Sequence, residues 1–205
     1  MSTEAQTADT RRYRKRLRAE QELQTRRAIT EAAVKLHGTV GPARTTVSAI
    51  AEEAGVQRAT VYRHFPDEPS LFQACSGHYM SMHPLPDPAR WEAIADPAER
   101  LRAALTDVYG WWEDTEDMMS RVIRDTPLVE SLAAQTRARL AFFDHIGSVL
   151  MRGRGLRGKR RARVDAAVRH ALELPTWQSL VRGHGLTNAE AVELMAGMVE
   201  RAAGS

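Results

Sequence analysis

Residues 45–72 read TTVSAIAEEAGVQRATVYRHFPDEPSLF, and this stretch decides the fold of the N-terminal part of the chain. A helix is predicted to begin near Thr46, because small and apolar residues recur there at the spacing that places them on one helical face: Ile50, Ala51 and Ala54. Gly55 follows at the point where the chain must turn with a positive φ, a conformation that costs glycine little. The pattern therefore predicts a short helix that ends in a tight corner.

A second short helix follows the corner, and its inward face is formed by Val56, Val61 and Phe65. Ala51 is small because this second helix crosses directly above it, and a larger side chain would push the two helices apart. A pair of short helices joined in this way is a helix-turn-helix, whose second helix enters the major groove of DNA.

Length and composition agree with an all-α protein. The 205 residues are 43% hydrophobic, enough for one or two domains with ordinary cores. The single cysteine, Cys75, excludes an intrachain disulfide framework and fits a reducing cytoplasm, where we expect the protein to act. No apolar run approaches the roughly 20 residues needed to span a bilayer, and the charged N-terminus lacks the apolar core of a secretory signal.

Positive charge is concentrated near the N-terminus. Residues 1–75 carry 12 Lys and Arg against 9 Asp and Glu, whereas the rest of the chain carries 17 of each. Most of the excess comes from one basic run: Arg11, Arg12, Arg14, Lys15, Arg16 and Arg18. We interpret residues 1–20 as a basic, disordered arm, which either stays in solvent or folds onto the DNA backbone or minor groove when DNA arrives.

The remaining helices of the N-terminal domain follow from periodicity and breakers. A first helix is predicted from about Glu22 to His37. Asp67 is placed to cap a further helix that runs to about Met82. Three prolines then stop helix formation, at positions 84, 86 and 88. We therefore divide the chain after the arm into a DNA-binding domain at residues 21–82 and a second domain at residues 83–205.

Sequence patterns also predict helices in the second domain. Asp96 followed by Pro97 is an N-cap signal, and Thr126 with Pro127 repeats it for a long helix to about Met151. The stripe of that long helix is interrupted once by a charge: Leu128, Leu132, Arg139, Phe143, Ile146 and Leu150. A helix from about Arg160 is expected to kink at Pro175, and Thr187 with Glu190 forms a capping box for the last helix.

At this point the motif resembles that of the TetR (tetracycline repressor-like) family of bacterial transcriptional regulators. The resemblance covers residues 27–72 and consists of the threonine start, Ile-Ala, Ala-Gly-Val, Tyr-x-His-Phe and the closing Leu-Phe. It implies a homodimer with an N-terminal three-helix DNA-binding domain and a larger helical domain. That larger domain usually binds a small molecule and dimerises through its last two long helices, here residues 160–182 and 187–203.

Chemistry assigns roles to the residues around the corner. Thr45 or Thr46 caps the first helix of the motif. This residue either has no role beyond capping or also binds a phosphate together with the exposed backbone amides. Gln57, Arg58 and Ala59 open the recognition helix and are the first to meet base edges. Arg58 is the preferred specificity residue, because a guanidinium pairs with both guanine acceptors, and Ala59 suits a thymine methyl.

The resemblance implies further contacts along the recognition helix. Thr60, Tyr62 and His64 match phosphate-contacting positions of the family, although His64 could instead only pack beside Phe65. Arg63 is exposed at this spacing and is assigned to either base or phosphate. Glu68 stands where the family commonly has a lysine, which leaves open whether this phosphate contact is lost.

The second domain contains large, adaptable apolar residues that either line an effector cavity or form ordinary helical core: Trp111, Trp112, Met118, Met119, Phe142, Phe143 and Trp177. No enzyme motif is present, no metal or cofactor is predicted, and Cys75 fits a core position better than a nucleophile. Two functions therefore compete. One is a repressor that an apolar or aromatic effector releases from a palindromic DNA operator. The other is a DNA-binding regulator whose second domain is a ligand-free dimerisation or protein-interaction platform.

Overall fold

The computed structural model describes residues 3–204, and its side chains from residue 11 onward. The chain divides into two units, the first ending at Tyr79 and the second beginning at Met80. All described secondary structure is helical or turn. The helices of the first unit are α1 (Thr3–Thr39), α2 (Val47–Glu53), α3 (Arg58–His64) and α4 (Glu68–Met82), whose last turn falls in the second unit, and a 3₁₀ turn (Pro42–Arg44) precedes α2.

The basic arm is where the structure differs most from expectation. Residues that we interpret as disordered belong to α1, which starts at Thr3 instead of Glu22. The physical reason is composition: residues 11–24 contain no proline or glycine and many good helix formers. An ion pair between Arg16 and Glu20, 2.9 Å apart and one turn along the helix, adds modest local support.

The core of the first unit brings α1, α2, α3 and α4 together. Ala51 is 3% exposed, in agreement with the tight crossing that its size indicates. The buried members of this core are Ile29, Ala32, Ala33, Ile50, Ala51, Val61, Phe65, Leu71 and Cys75. The Asp67 carboxylate accepts from the Ser70 amide at 2.8 Å, which confirms the predicted cap of α4.

The second unit is built on α6 (Pro97–Asp125), with α10 (Asn188–Gly204) packed against both α6 and α8. The other helices of this unit are α5 (Ala89–Glu92), α7 (Ala133–Met151), α8 (Gly158–Leu172) and α9 (Leu174–Gln178). Short 3₁₀ turns span Thr126–Leu128 and Glu130–Leu132, and a π turn spans Ser179–Gly183.

Two predicted caps of the second unit are confirmed. Asp96 accepts from the amides of Ala98 and Glu99 at 2.9 and 2.8 Å, and Pro97 occupies the first position of α6. The capping box also forms, because the Glu190 carboxylate accepts from the Thr187 amide at 2.8 Å and the Thr187 hydroxyl accepts in return from the Glu190 amide.

Two helix boundaries differ from the sequence prediction. The long helix begins at Ala133, not Thr126, because Thr126 already caps the C-terminus of α6 and its hydroxyl donates to the Val122 carbonyl at 2.8 Å. Pro175 does not kink one helix but separates two. The chain is extended at Glu173, and Pro175 lies in the first turn of α9, where its missing amide hydrogen costs no helical hydrogen bond.

Candidate nucleic-acid interface

The corner of the motif has the predicted backbone geometry. Gly55 has a φ of 66°, which is strained for any residue with a Cβ. The Val56 amide then donates to the Ala51 carbonyl at 2.9 Å, which closes the end of α2. This turn fixes the direction in which α3 leaves, so the recognition helix is aimed by backbone geometry before any DNA is present.

The two threonines at the start of α2 have different tasks. The Thr46 hydroxyl accepts from the Ala49 amide at 3.1 Å, so Thr46 is the N-cap of α2. Thr46 is also exposed. The Thr45 hydroxyl donates to the Gly41 carbonyl at 2.8 Å and holds the preceding loop. Thr46 therefore lies at an open helix N-terminus, where backbone amides favour an anion.

The first residues of α3 project from the unit. Gln57 is the N-cap residue, and Gln57, Arg58 and Ala59 are all exposed. Among the described residues, none forms a hydrogen bond or ion pair with the Arg58 guanidinium. A long cation that is held by nothing in its own fold is available to a partner.

The other predicted contact residues lie further along the same short helix. Tyr62 is 48% exposed and Arg63 is also exposed, whereas Thr60 and His64 are half-buried. Because α3 spans only Arg58–His64, these side chains cover less than two turns.

His64 is partly withdrawn from solvent. Its Nε2 atom is buried without a hydrogen-bond partner among the described residues. Burial lowers the pKa of the imidazole, and the positive charges of Arg63 and Arg26 lower it further. The neutral ring packs at the end of α3, which supports the packing alternative that the sequence leaves open.

Arg26 is a residue that the sequence analysis missed. Its guanidinium donates from Nη1 to the His64 carbonyl at 2.5 Å and lies over the Phe65 ring, 4.1 Å from its centroid. A cation at the C-terminus of α3 satisfies a free carbonyl and complements the helix dipole. Arg26 thus ties α1 to the recognition helix, and no local pattern could have revealed a contact across 38 residues.

Arg44 was also missed. It ends the 3₁₀ turn directly before Thr45 and is exposed, with no hydrogen bond or ion pair to the part of the chain that the structure describes. The signal was present in the sequence, since a cation adjacent to a helix N-terminus adds to its attraction for phosphate.

In the second unit, only part of the predicted aromatic set lines a cavity. Trp112 and Phe143 stack with their ring centroids 5.3 Å apart and form a wall of a cavity of about 490 Å³. The remaining lining residues are Ile123, Arg139, Leu140, Asp144, Arg169, Leu172, Glu173, Leu174 and Pro175.

The other members of the predicted set are not on the cavity wall. Trp177 is fully buried and donates its indole N–H to Asn188 Oδ1 at 2.8 Å. Trp111 donates to the His83 carbonyl at 3.2 Å. Trp111, Met118 and Met119 are buried, and Phe142 packs edge-on against Phe143.

We also considered the Cys75 thiol, clusters of possible metal ligands and helices that could span a membrane. Burial raises the pKa of the Cys75 thiol to about 12, so it is not a thiolate at neutral pH. Over the described residues, no group of three or more His, Cys, Asp or Glu side chains is placed to hold a metal ion. Within residues 3–204, no helix has both the length and the apolar character that a bilayer crossing requires.

Comparison with known proteins agrees with this geometry. Residues 29–75 match the family model for bacterial regulatory proteins of the tetR family. No curated protein matches the whole chain significantly in sequence.

Solved structures share the fold. A putative fatty acid metabolism regulator of Clostridium perfringens is 18% identical and aligns over 84% of this chain and 96% of its own, with a TM-score of 0.62. A TetR-like transcriptional regulator from Rhodococcus sp. RHA1, also 18% identical, aligns over 88% and 96%, with a TM-score of 0.58. NalD, the secondary repressor of the MexAB-OprM multidrug efflux pump in Pseudomonas aeruginosa, is 24% identical over 87% and 95%, with a TM-score of 0.55.

The exposed recognition helix and the helical second unit define a DNA-binding transcriptional regulator of the helix-turn-helix class. The matched motif identifies residues 29–75 as the DNA-binding part of a tetR-family regulatory protein, and the chain shares its fold with solved regulators of this kind.

Proposed function

We propose that the protein is a homodimeric repressor that binds a palindromic double-stranded operator and is released by a small apolar or aromatic effector. The single observation that carries the effector part of this proposal is the cavity of about 490 Å³ walled by the Trp112–Phe143 stack. A cavity of this size is in the range used for drug-sized ligands, whereas a ligand-free platform would have a filled core at this place.

On the DNA side, the proposal assigns base reading to the tip of α3. Arg58 is the main reader, with Gln57, Ala59 and Arg63 beside it. Backbone phosphates are assigned to Thr45, Thr46, Thr60 and Tyr62, with Arg44 added from the structure, whereas His64 is assigned to packing at the end of α3. The positive excess of residues 1–75 supports this division, because phosphate contacts supply most of the affinity and base contacts supply the specificity.

The dimer is assigned to α8 and α10. Leu194 and Met198 are 39% and 49% exposed and lie one turn apart on α10. On α8, Ala162 and Ala166 are exposed at the same spacing, which leaves room for close helix approach. A dimer on these faces must present its two α3 helices one DNA turn apart, roughly 34–36 Å. An effector that favours another spacing would release DNA, with a coupling of typically 1–3 kcal/mol.

The test combines footprinting on DNA upstream of the gene with a screen for small molecules that abolish the footprint. In the cavity variant Ile123→Phe, the added ring should block the effector, so that the footprint persists at effector concentrations that release the wild type. Leu128→Phe is the matched control, because Leu128 is 74% exposed and does not line the cavity.

The outcomes separate the two candidate functions. If no compound releases the footprint and Ile123→Phe behaves as the wild type, the second unit is a platform without a ligand, and the buried Trp111, Met118, Met119 and Trp177 are ordinary core. Equal binding to operator and random DNA would indicate a nonspecific architectural protein and contradict both.

A further inference from the structure

Arg139 is the one charge in the apolar stripe of α7, and the structure places it on the wall of the cavity. Its neighbours there include Trp112, Ile123, Leu140 and Phe143. The residue is half-buried. An arginine at a position where the helical repeat calls for an apolar residue is costly to desolvate, so its presence requires an account.

No partner among the described residues offsets that cost. Among residues 11–204, whose side chains are described, none forms a hydrogen bond or an ion pair with the Arg139 guanidinium. Burial lowers the pKa of this guanidinium. The group remains cationic at neutral pH, because arginine does not lose its proton in proteins.

Each of the other charges on the cavity wall is either paired with an opposite charge or exposed to water. Arg169 donates to Asp144 at 2.7 Å and to Asp165 at 2.8 Å. Glu173 lies 3.4 Å from the His170 ring. The Asp144 and Glu173 side chains are 68% and 58% exposed, so water screens these two acids, whereas Arg139 is partly desolvated.

A second polar group close to Arg139 also lacks a partner. Gln135 lies one helical turn earlier on the same face of α7, and its Oε1 atom is buried without a hydrogen-bond partner among the described residues. The two ends of a glutamine amide are interchangeable by rotation, so this side chain can offer either a donor or an acceptor. Arg139 lies on the cavity wall and Gln135 lies one turn from it without lining the cavity, and the unpartnered Arg139 on the wall favours a ligand with a polar group.

We propose that the cavity of the second unit binds an amphiphilic organic anion, whose carboxylate is held by Arg139 and whose apolar or aromatic body lies against the Trp112–Phe143 stack. This inference rests on the proposed effector function and names its ligand class. A guanidinium matches a carboxylate with two parallel hydrogen bonds, and the partial burial of Arg139 strengthens the pair. The cation therefore selects anions over neutral molecules of the same shape.

The experiment is calorimetric titration of the purified full-length protein with three carboxylates and their primary amides: 1-naphthaleneacetate, 4-phenylbutyrate and decanoate. In the wild type, at least one carboxylate should bind about tenfold or more tightly than its amide, as expected for a charged hydrogen bond in a partly desolvated site. Arg139→Met should reduce the carboxylate to the affinity of the amide while leaving amide binding unchanged.

The matched control is Arg137→Met, which removes an exposed cation from the same helix and should leave all affinities unchanged. Arg139→Lys should keep part of the preference for the carboxylate. Circular dichroism melts of each variant verify folding, and the wild-type preference is measured independently of any variant. The proposal is overturned if no carboxylate binds, if carboxylates and amides bind equally, or if Arg137→Met has the same effect as Arg139→Met.

Two further readouts separate this inference from the function on which it rests. If a carboxylate binds through Arg139 but leaves the operator complex intact, the anion site stands and effector release fails. If amides release the operator as effectively as carboxylates, release stands and the anion site fails. Sedimentation tests the remaining occupant, a second copy of the chain: loss of the dimer in Arg139→Met but not in Arg137→Met would assign the cavity wall to a subunit interface and overturn the proposal.

Discussion

Arg58 of the first unit and Arg139 of the second are both arginines without a partner among the described residues, but their surroundings differ. Arg58 is exposed at the tip of a short helix, where water solvates its charge at no cost to the fold. Arg139 is half-buried in the wall of an apolar cavity. The comparison teaches that an unpaired cation is informative in proportion to its desolvation, since only the second one is costly to keep.

The same contrast holds for the two units as a whole. In the first unit, the proposed contact residues are surface side chains on a short, rigid helix pair, so sequence spacing alone locates them. In the second unit, the ligand site is a space between α6, α7, α8 and α9, and its walls depend on which side chains pack and which do not. This contrast leads to five predictions, which are given in order of decreasing effect.

The largest effect is expected on stability, when a core residue of the second unit is substituted instead of a residue of the cavity wall. Trp177→Ala should lower the free energy of unfolding by about 3–5 kcal/mol, because a fully buried ring and its hydrogen bond to Asn188 are lost. Phe143→Ala removes a half-buried ring and should cost clearly less while weakening effector binding. Denaturant titration measures the free energy of unfolding of both variants. Similar decreases for the two variants would contradict the distinction between core and cavity wall.

Arg58→Ala should weaken operator binding by about 1–3 kcal/mol while leaving binding to random DNA largely intact. Fluorescence anisotropy with the two DNAs at the same salt concentration provides the measurement. Arg12→Ala, which removes a cation of the arm, is the control and should affect both DNAs alike. Equal losses on both DNAs for Arg58→Ala would show that base reading lies elsewhere.

Deleting residues 1–18 removes the first part of α1, including the basic run at residues 11–18. If this segment contacts phosphates, affinity should fall on the order of tenfold at low salt, and the plot of log affinity against log salt should become less steep. Because the described part of the segment is helical, circular dichroism of the truncated chain should also show less helix. If the slope is unchanged, the segment does not contact phosphates and stays in solvent.

Thr46→Ala should lower the free energy of unfolding by about 1 kcal/mol, because the cap of α2 is lost. Thr46→Ser keeps the hydroxyl and is the matched control. Thermal unfolding gives the stability change, and DNA affinity measured on the same two proteins tests whether the helix N-terminus also holds a phosphate. A stable Thr46→Ala protein with full affinity would contradict both roles.

The smallest effect concerns His64. Its pKa is lowered in the folded protein, mainly by burial, so the unfolded chain binds more protons between pH 6.5 and the lower folded value. The stability contribution is therefore present above pH 6.5 and is lost as the pH falls through that window. His64→Gln should unfold with a flatter pH dependence below pH 6.5, and parallel profiles for the two proteins would refute this assignment.

The amino-acid sequence was sufficient to predict the features that depend on local chemistry. A glycine at the corner, an Asp-Pro start at residue 96 and a Thr-x-x-Glu box at residue 187 each satisfy backbone groups within a few residues, so their geometry follows from spacing. The helix-turn-helix could be recognised from the sequence for the same reason, because its tight helix crossing requires a small residue at position 51.

Contacts between side chains that are far apart in the sequence became known only from the folded structure. Arg26 reaches the end of the recognition helix, and two of the seven candidate residues line the cavity while Trp177 fills the core. Arg139 lies on the cavity wall without a counter-ion among the described residues. Helical periodicity reports that a face is apolar but not what lies opposite it. Burial and pairing are properties of the packed chain, so a space between helices and a charge facing it cannot be read from spacing alone.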